Sequence, residues 1–320
     1  MRKLFQIILL RPVLWIAKKF SSRPVPERIF KALSQLKTDI EKQPCKKGVI
    51  LGLDIDHGKL IVFSDQHKGA KNGADDFMLC ESNYLAALDY YSEKQFCFIS
   101  LGDSDELWEN RWPAVKKHNG ASFEKEKKFV KRNAFIRVYG NHDLAWNTDV
   151  TTASEMEKIY GQKVNVYEGV IVQLTGRPQS SVNGPLTGDS SFLSGASHST
   201  MPPEAILLTI FLTHGHQGDA QSDGNWFSKF FVAHIWAPLQ SYLKVNPNTP
   251  AYNTTIKTLH NRIMYEWSAL QKNTLFITGH THQPVFESLT HLERLYRKLL
   301  QAQNSNDFAL AEEIKKEIKM

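Results

Sequence analysis

Three short apolar runs, Lys59–Ser64, Phe96–Leu101 and Ala134–Tyr139, each stop at a polar block with a glycine in or near it. The blocks are Asp65-Gln66-His67, Gly102-Asp103 and Gly140-Asn141-His142-Asp143. Runs of this length and residue type read as strands. The stretches around 82–94 and 105–132 read as helices, and strands alternating with helices argue for an α/β core. In such sheets ligands bind in the crevice beyond the carboxyl ends of the strands. Blocks that are far apart along the chain are therefore expected to converge on one edge.

The rest of the chain is consistent with this core. Residues 27–42 read as a helix with Ile29, Leu33, Leu36 and Ile40 on one face. Val49–Leu53 is a further strand, and Asp56-His57-Gly58 between it and the next reads as a hairpin turn. Residues 168–175, 205–213 and Thr274–Thr278 read as strands. The Ser/Gly/Pro-rich stretch 176–204 reads as a long flexible loop. Residues 226–270 are aromatic-rich and helical in pattern, and the C-terminus reads as two helices, Leu292–Gln303 and Asp307–Ile318.

Composition narrows the class. Apolar residues make up 42% and charged residues 22%, the balance of a folded globular chain. A net charge of +6 and a pI near 9.0 fit an anionic partner: phosphate, nucleic acid or a membrane surface. Cys45, Cys80 and Cys97 are an odd number without metal-site spacing, which suits a reducing compartment and argues against a disulfide scaffold. Residues 1–20 hold Phe5 and Trp15 in interrupted apolar stretches, with Arg2, Lys3, Arg11, Lys18 and Lys19 around them. The stretch is too short and broken for a spanning helix. It suits either an interfacial anchor or a helix covering the protein's own core. The expected location is the cytoplasm, with peripheral attachment to the inner face of a membrane as the extension of the first reading.

Two further blocks complete the pattern: Thr213-His214-Gly215-His216 and Gly279-His280-Thr281-His282. Together the five offer carboxylate, imidazole and amide oxygen donors and no thiolate, a set that suits Mn²⁺, Fe or Zn²⁺ in open sites. A D-x-H or H-x-H spacing on an extended segment points both side chains the same way. Any one block has a bland reading as ordinary surface or core residues. The ordered set at strand ends does not. His216 lies close enough to replace or join His214, and Glu106 reads as either a supporting carboxylate or an exposed residue at a helix start. His57 and His118 are expected to be solvated.

From Asp65 to His282 these blocks resemble the calcineurin-like metallophosphoesterase family, in that family's usual order. The resemblance implies a four-layer αββα sandwich of two mixed β-sheets. Its domain would span 47–290, with a helical lid at about 217–270 and helical extensions at 1–46 and 291–320. It implies that Asp65, His67 and His282 hold one metal and that Asn141, His214 and His280 hold the other, with Asp103 bridging. It also implies that His142 is catalytic and held by Asp143. Two such cations can bind a phosphate and a shared hydroxide, which makes phosphoester or pyrophosphate hydrolysis the expected activity. Within the family the chain is most similar to the UDP-2,3-diacylglucosamine hydrolases, through Ser64-Asp65-x-His67, Gly102-Asp103-x-x-Glu106, Gly279-His280-Thr281-His282-x-Pro284 and the insertion between His214 and His280. It departs from them at His142, where they commonly have Arg, and in the C-terminal helices, where the family usually continues with strands. A nuclease or cyclic-nucleotide phosphodiesterase is the alternative within the family, although no basic stripe with interleaved aromatics marks a nucleic-acid groove. A non-catalytic scaffold is the alternative outside it.

Overall fold

The computed structural model describes residues 24–72, 75–148, 150–176, 206–219, 254–283, 291–305 and 307–319. They divide into two compact units, Met1–Thr281 and His282–Met320. The expectations for residues 1–20, for most of the loop at 176–204 and for the aromatic cluster at 226–236 lie outside the described residues.

The first unit holds two four-stranded sheets. One contains β1 (Gly48–Asp54), β6 (Gly169–Thr175), β7 (Ile206–Thr213) and β8 (Thr274–Ile277) in that order, and is mixed because only β6 and β7 pair antiparallel. The other contains β2 (Leu60–Phe63), β3 (Cys97–Leu101), β4 (Phe135–Val138) and β5 (Val166–Tyr167), and is parallel throughout. The short strand β5 carries too few residues to show in the sequence pattern.

Period-2 alternation explains how the sheets stack. Cys97, Ile99 and Leu101 of β3 and Ile136 and Val138 of β4 face Val49, Leu51, Val170, Val172 and Leu212 of the other sheet, forming the central layer. The opposite face of the parallel sheet, with Phe98 and Phe135, is covered by residues of α2 (Phe77–Glu93), α4 (Gly120–Lys131), α5 (Ala145–Thr148) and α6 (Val150–Tyr160). Between α2 and α4 runs the short helix α3 (Trp112–His118). The outer face of the mixed sheet, with Ile171 and Phe211, is covered by α1 (Pro26–Lys42) and α7 (Thr254–Ala269). The result is the expected αββα sandwich, with one correction: only one of its two sheets is mixed, because every pairing of β2, β3, β4 and β5 is parallel. Helix α1 starts with Pro26 in its first turn, where the missing N–H costs nothing, and buries Ile29, Leu33, Leu36 and Ile40. It is thus a layer of the sandwich. Helix α7 likewise packs Ile263, Met264 and Trp267 into the core.

The hairpin expected at Asp56-His57-Gly58 does not form. Strand β1 pairs with β6 and β2 pairs with β3, so the turn carries the chain from one sheet to the other. Asp54 Oδ1 accepts the N–H groups of Asp56 and His57, at 2.9 and 2.8 Å, and closes the turn locally. Each of the two strands is the edge strand of its own sheet, paired on one side with a distant parallel partner.

The second unit is a pair of helices, α8 (His291–Asn304) and α9 (Phe308–Lys319), that bury Leu295, Ala302, Ala311 and Ile314 against one another. No helix among the described residues is long and apolar enough to cross a membrane.

Candidate metal centre

The loops that follow β2, β3, β4, β7 and β8 carry the five polar blocks. Asp103 is at their centre. It is buried, and its backbone is left-handed at φ 49°. Oδ1 accepts the His142 N–H at 2.8 Å, and Oδ2 lies 3.0 Å from His214 Nε2 and 3.7 Å from His67 Nε2. The ligating atoms of Asp103, His214 and His280 all lie within 4.8 Å of one another, as do those of His67, Asp103 and His142. One carboxylate therefore belongs to two separate groups of potential ligands.

The ligands do not converge by the alternation of an extended strand, which corrects the sequence expectation. Asp65, His67, Asp103 and His280 are all left-handed, with φ of 58°, 50°, 49° and 72°. Such conformations cost on the order of 1 kcal/mol or more for a non-glycine residue and persist only where their surroundings enforce them. Backbone bonds do so here: Asp65 N–H to Gly102 O at 3.1 Å, His67 N–H to Asp103 O at 2.8 Å, and His280 N–H to the Asp65 carboxylate at 3.0 and 3.2 Å. Gly102, at φ 80°, permits the close approach of His214, whose ring would lie 2.6 Å from a Cβ at that position.

Several buried polar atoms of these blocks have no hydrogen-bond partner. Asn141 is buried, and its Oδ1 accepts no hydrogen bond. His214 gives its Nδ1–H to Leu101 O at 3.1 Å, so Nε2 is the nitrogen that would bind an ion on giving up its proton. That nitrogen approaches Asp103 without the alignment of a hydrogen bond, and His280 Nε2 is buried and likewise unbonded. Orphaned buried polar atoms are costly. A cation that takes all three removes the cost, so these residues fit a divalent metal.

The electrostatics agree. Burial opposes charge on His214, but the Asp103 and Asp65 carboxylates outweigh it and raise the imidazole to about 9. Burial also opposes charge on His142, where Glu106 and Asp103 prevail and raise it to about 10. Asp103 is held well below the usual carboxylate range, burial being overcome by His214 and His142. The pocket thus stabilises positive charge.

Glu106 was only weakly visible in the sequence and proves central. Its Oε2 lies 2.9 Å from His67 Nδ1 and 2.7 Å from His142 Nδ1, so one oxygen orients both rings. Oε1 accepts the N–H groups of Trp108 and Glu109. The Trp108 indole, unforeseen, stacks on His142 with ring centres 4.3 Å apart. The expectation that Asp143 holds His142 is corrected. Asp143 instead accepts Gly140 N–H at 2.6 Å and Ser104 N–H at 3.0 Å, because its side chain folds back under its own loop. The spacing of Glu106 three residues after Asp103 was the available signal, and nothing in the sequence ranked it above Asp143.

His216 is buried beside His214, with ring centres 5.5 Å apart, but shares in neither ligand group. His260, which was not singled out, gives its Nε2–H to Gly215 O at 2.9 Å and packs against His280. His282, left-handed at φ 49° and exposed, is the first residue of the second unit. Comparison with protein-family models, with curated proteins and with solved structures finds no match.

Proposed function

We propose that this chain is a metal-dependent hydrolase of phosphoester or pyrophosphate bonds, with a dinuclear centre like that of the calcineurin-like metallophosphoesterases it resembles. The observation that carries the reading is the buried Asp103 carboxylate shared between two groups of donors, beside imidazole and amide atoms that make no hydrogen bond. Asn141, His214 and His280 would hold one ion, and Asp65, His67 and His282 the other, with Asp103 serving both. Mn²⁺ suits this nitrogen and oxygen set, and Fe and Zn²⁺ are the alternatives. When bound, such a pair supplies Lewis acidity towards phosphate oxygens and acidifies water.

The chain's own residues do the rest. Glu106 holds His142 through Nδ1 and Trp108 fixes the ring plane, so Nε2 is the nitrogen available to substrate. In its protonated form this imidazole would offset charge on the phosphate and could give its proton to the departing oxygen. Asp143 positions the loop that carries Asn141 and His142. The substrate class that fits the basic charge and residues 1–20 is a lipid-linked or nucleotide-type phosphate ester at a membrane surface.

The test is a screen of initial rates with Mn²⁺ across phosphomonoesters, phosphodiesters, nucleic acids and UDP-sugar lipids. The expected result is hydrolysis of at least one class that chelation and Asp103→Asn both abolish. Full activity in Asp103→Asn, or in chelator, contradicts the proposal. For the membrane component, a chain lacking residues 1–20 should partition less onto anionic vesicles than the full chain, and equal partitioning rejects it.

A further inference from the structure

Beneath the ligand loops lies a connected group of charged and polar side chains with almost no solvent access. Lys68, Asp105, Glu126, Arg137 and Tyr160 are all at most 2% exposed. Lys68 Nζ donates to Glu126 Oε1 at 2.6 Å and lies 3.5 Å from Asp105 Oδ1. Tyr84 and Tyr160 donate to the two oxygens of Glu126, at 2.8 and 2.6 Å. Arg137 projects from the middle of β4 between Asp105, to which Nη2 donates, and Asp143, 3.5 Å away. Nη1 donates to Tyr160 at 3.4 Å, and Asp105 also accepts Trp146 Nε1–H at 3.0 Å.

Stability does not account for this arrangement. Buried ion pairs cost so much desolvation that apolar replacements of similar volume are commonly as stable or more so. What sets Arg137 apart is what its two carboxylate partners hold. Asp143 accepts N–H groups from Gly140 and Ser104. It thereby ties the residue before Asn141 to the residue after Asp103. Asp105 sits one residue before Glu106, which orients His67 and His142, and the backbone bond from Glu106 N–H to Lys68 O joins the loop of Asp65 and His67 to the same framework. Three ligand loops therefore meet on a scaffold in which Arg137 is the cation between two carboxylates.

We infer that Arg137 is a positioning residue for the metal centre: through Asp143 and Asp105 it fixes the loops that carry Asp103, Asn141 and His142, and so sets metal affinity. This rests on the metal-dependent reading above. Without the guanidinium, Asp105 loses the hydrogen bond from Nη2 and Asp143 loses the cation 3.5 Å away, so either side chain can turn from its place. Either change loosens the clamp between the residues flanking Asp103 and Asn141. Loss of such outer partners typically weakens metal affinity by roughly 10–100-fold.

The experiment measures Mn²⁺ binding to the metal-free full-length protein by the paramagnetic resonance signal of free Mn²⁺, alongside thermal unfolding. Arg137→Met should bind Mn²⁺ about 10–100-fold more weakly than the wild type. Arg137→Lys, which keeps the charge but not the planar fork, should recover part of the loss, and it serves as the test if the Met variant fails to fold. Leu33→Ala, a core change under α1, should lower the melting temperature and leave Mn²⁺ affinity unchanged. Wild-type affinity in Arg137→Met, or in Arg137→Lys if only that variant folds, overturns the inference and leaves the metal centre standing. Equal weakening in Leu33→Ala also overturns it, because general destabilisation would then suffice. Absence of Mn²⁺, Fe²⁺ and Zn²⁺ binding in the wild type overturns both readings at once.

Discussion

Gly140→Ala is a one-methyl perturbation aimed at the centre of the site. A Cβ there would lie 2.2 Å from Asp103 Oδ1, 2.7 Å from Asp103 N and 2.7 Å from His214 Cδ2. Favourable contacts to a carbon need about 3.5 Å, so the shortfall is on the order of 1 Å. Gly140 is not left-handed, so the backbone tolerates alanine and the penalty is one of contact. Asp103 cannot swing away freely, because Oδ1 accepts the His142 N–H and its own amide is among the crowded atoms. The carboxylate must shift by about 1 Å, and a misplacement of that size costs roughly 100-fold in rate. Overpacking adds about 1–3 kcal/mol of destabilisation. The assay is kcat with Mn²⁺ on the substrate found in the screen, with bound metal and the melting temperature measured in parallel. Gly52→Ala, whose Cβ would meet nothing within 4 Å, is the control and should behave as wild type. Wild-type kcat and metal content in Gly140→Ala would refute the reasoning.

Glu106→Gln should lower kcat by about 10–100-fold, because one oxygen can no longer orient two imidazoles; kcat within twofold of wild type rejects its role. His260 is pulled down to about 4 by burial, against about 6.5 in an unfolded chain. Its contribution is intact above pH 6.5 and is lost as pH falls towards 4, because the unfolded chain takes the proton first; at pH 5 the loss is about 2 kcal/mol. Urea unfolding at pH 7 and 5 should show a smaller acid loss in His260→Gln than in the wild type, and equal losses contradict the assignment. Cys97 is buried and its thiol is pushed up to about 12, whereas Cys45 and Cys80 are exposed. A thiol reagent at pH 8 should modify two cysteines in the native protein and the third only in denaturant; rapid modification of all three contradicts the burial of Cys97.

The α/β core was legible in the sequence because its strands are short apolar runs between helical stretches, whereas the four-layer sandwich was expected only from the family resemblance. Cys97, Ile99 and Leu101 face one layer and Phe98 the other, and Ile29, Leu33, Leu36 and Ile40 mark the buried stripe of α1. The false hairpin at 56–58 shows the limit. Turn chemistry tells where a chain reverses, whereas pairing depends on partners more than 30 residues away. The ligand blocks were legible because each carries its chemistry within three or four residues. The residues that support them were not, since Glu106 and Asp143 are both acidic neighbours of His142 in plausible positions and only the folded loops show which one reaches the ring. Arg137 offered a signal of a different kind, a cation inside an apolar parallel strand. Such a residue must be paired when buried, and sequence alone does not name its partners.

Divalent metal stoichiometry decides whether the centre is dinuclear. Elemental analysis of the full-length protein equilibrated with Mn²⁺ and then desalted should give two equivalents per chain in the wild type. Asp103→Asn, which removes the shared carboxylate charge, should fall below one. A wild-type protein that retains no Mn²⁺, Fe or Zn²⁺ after loading, or an Asp103→Asn protein that retains two equivalents, would contradict the account.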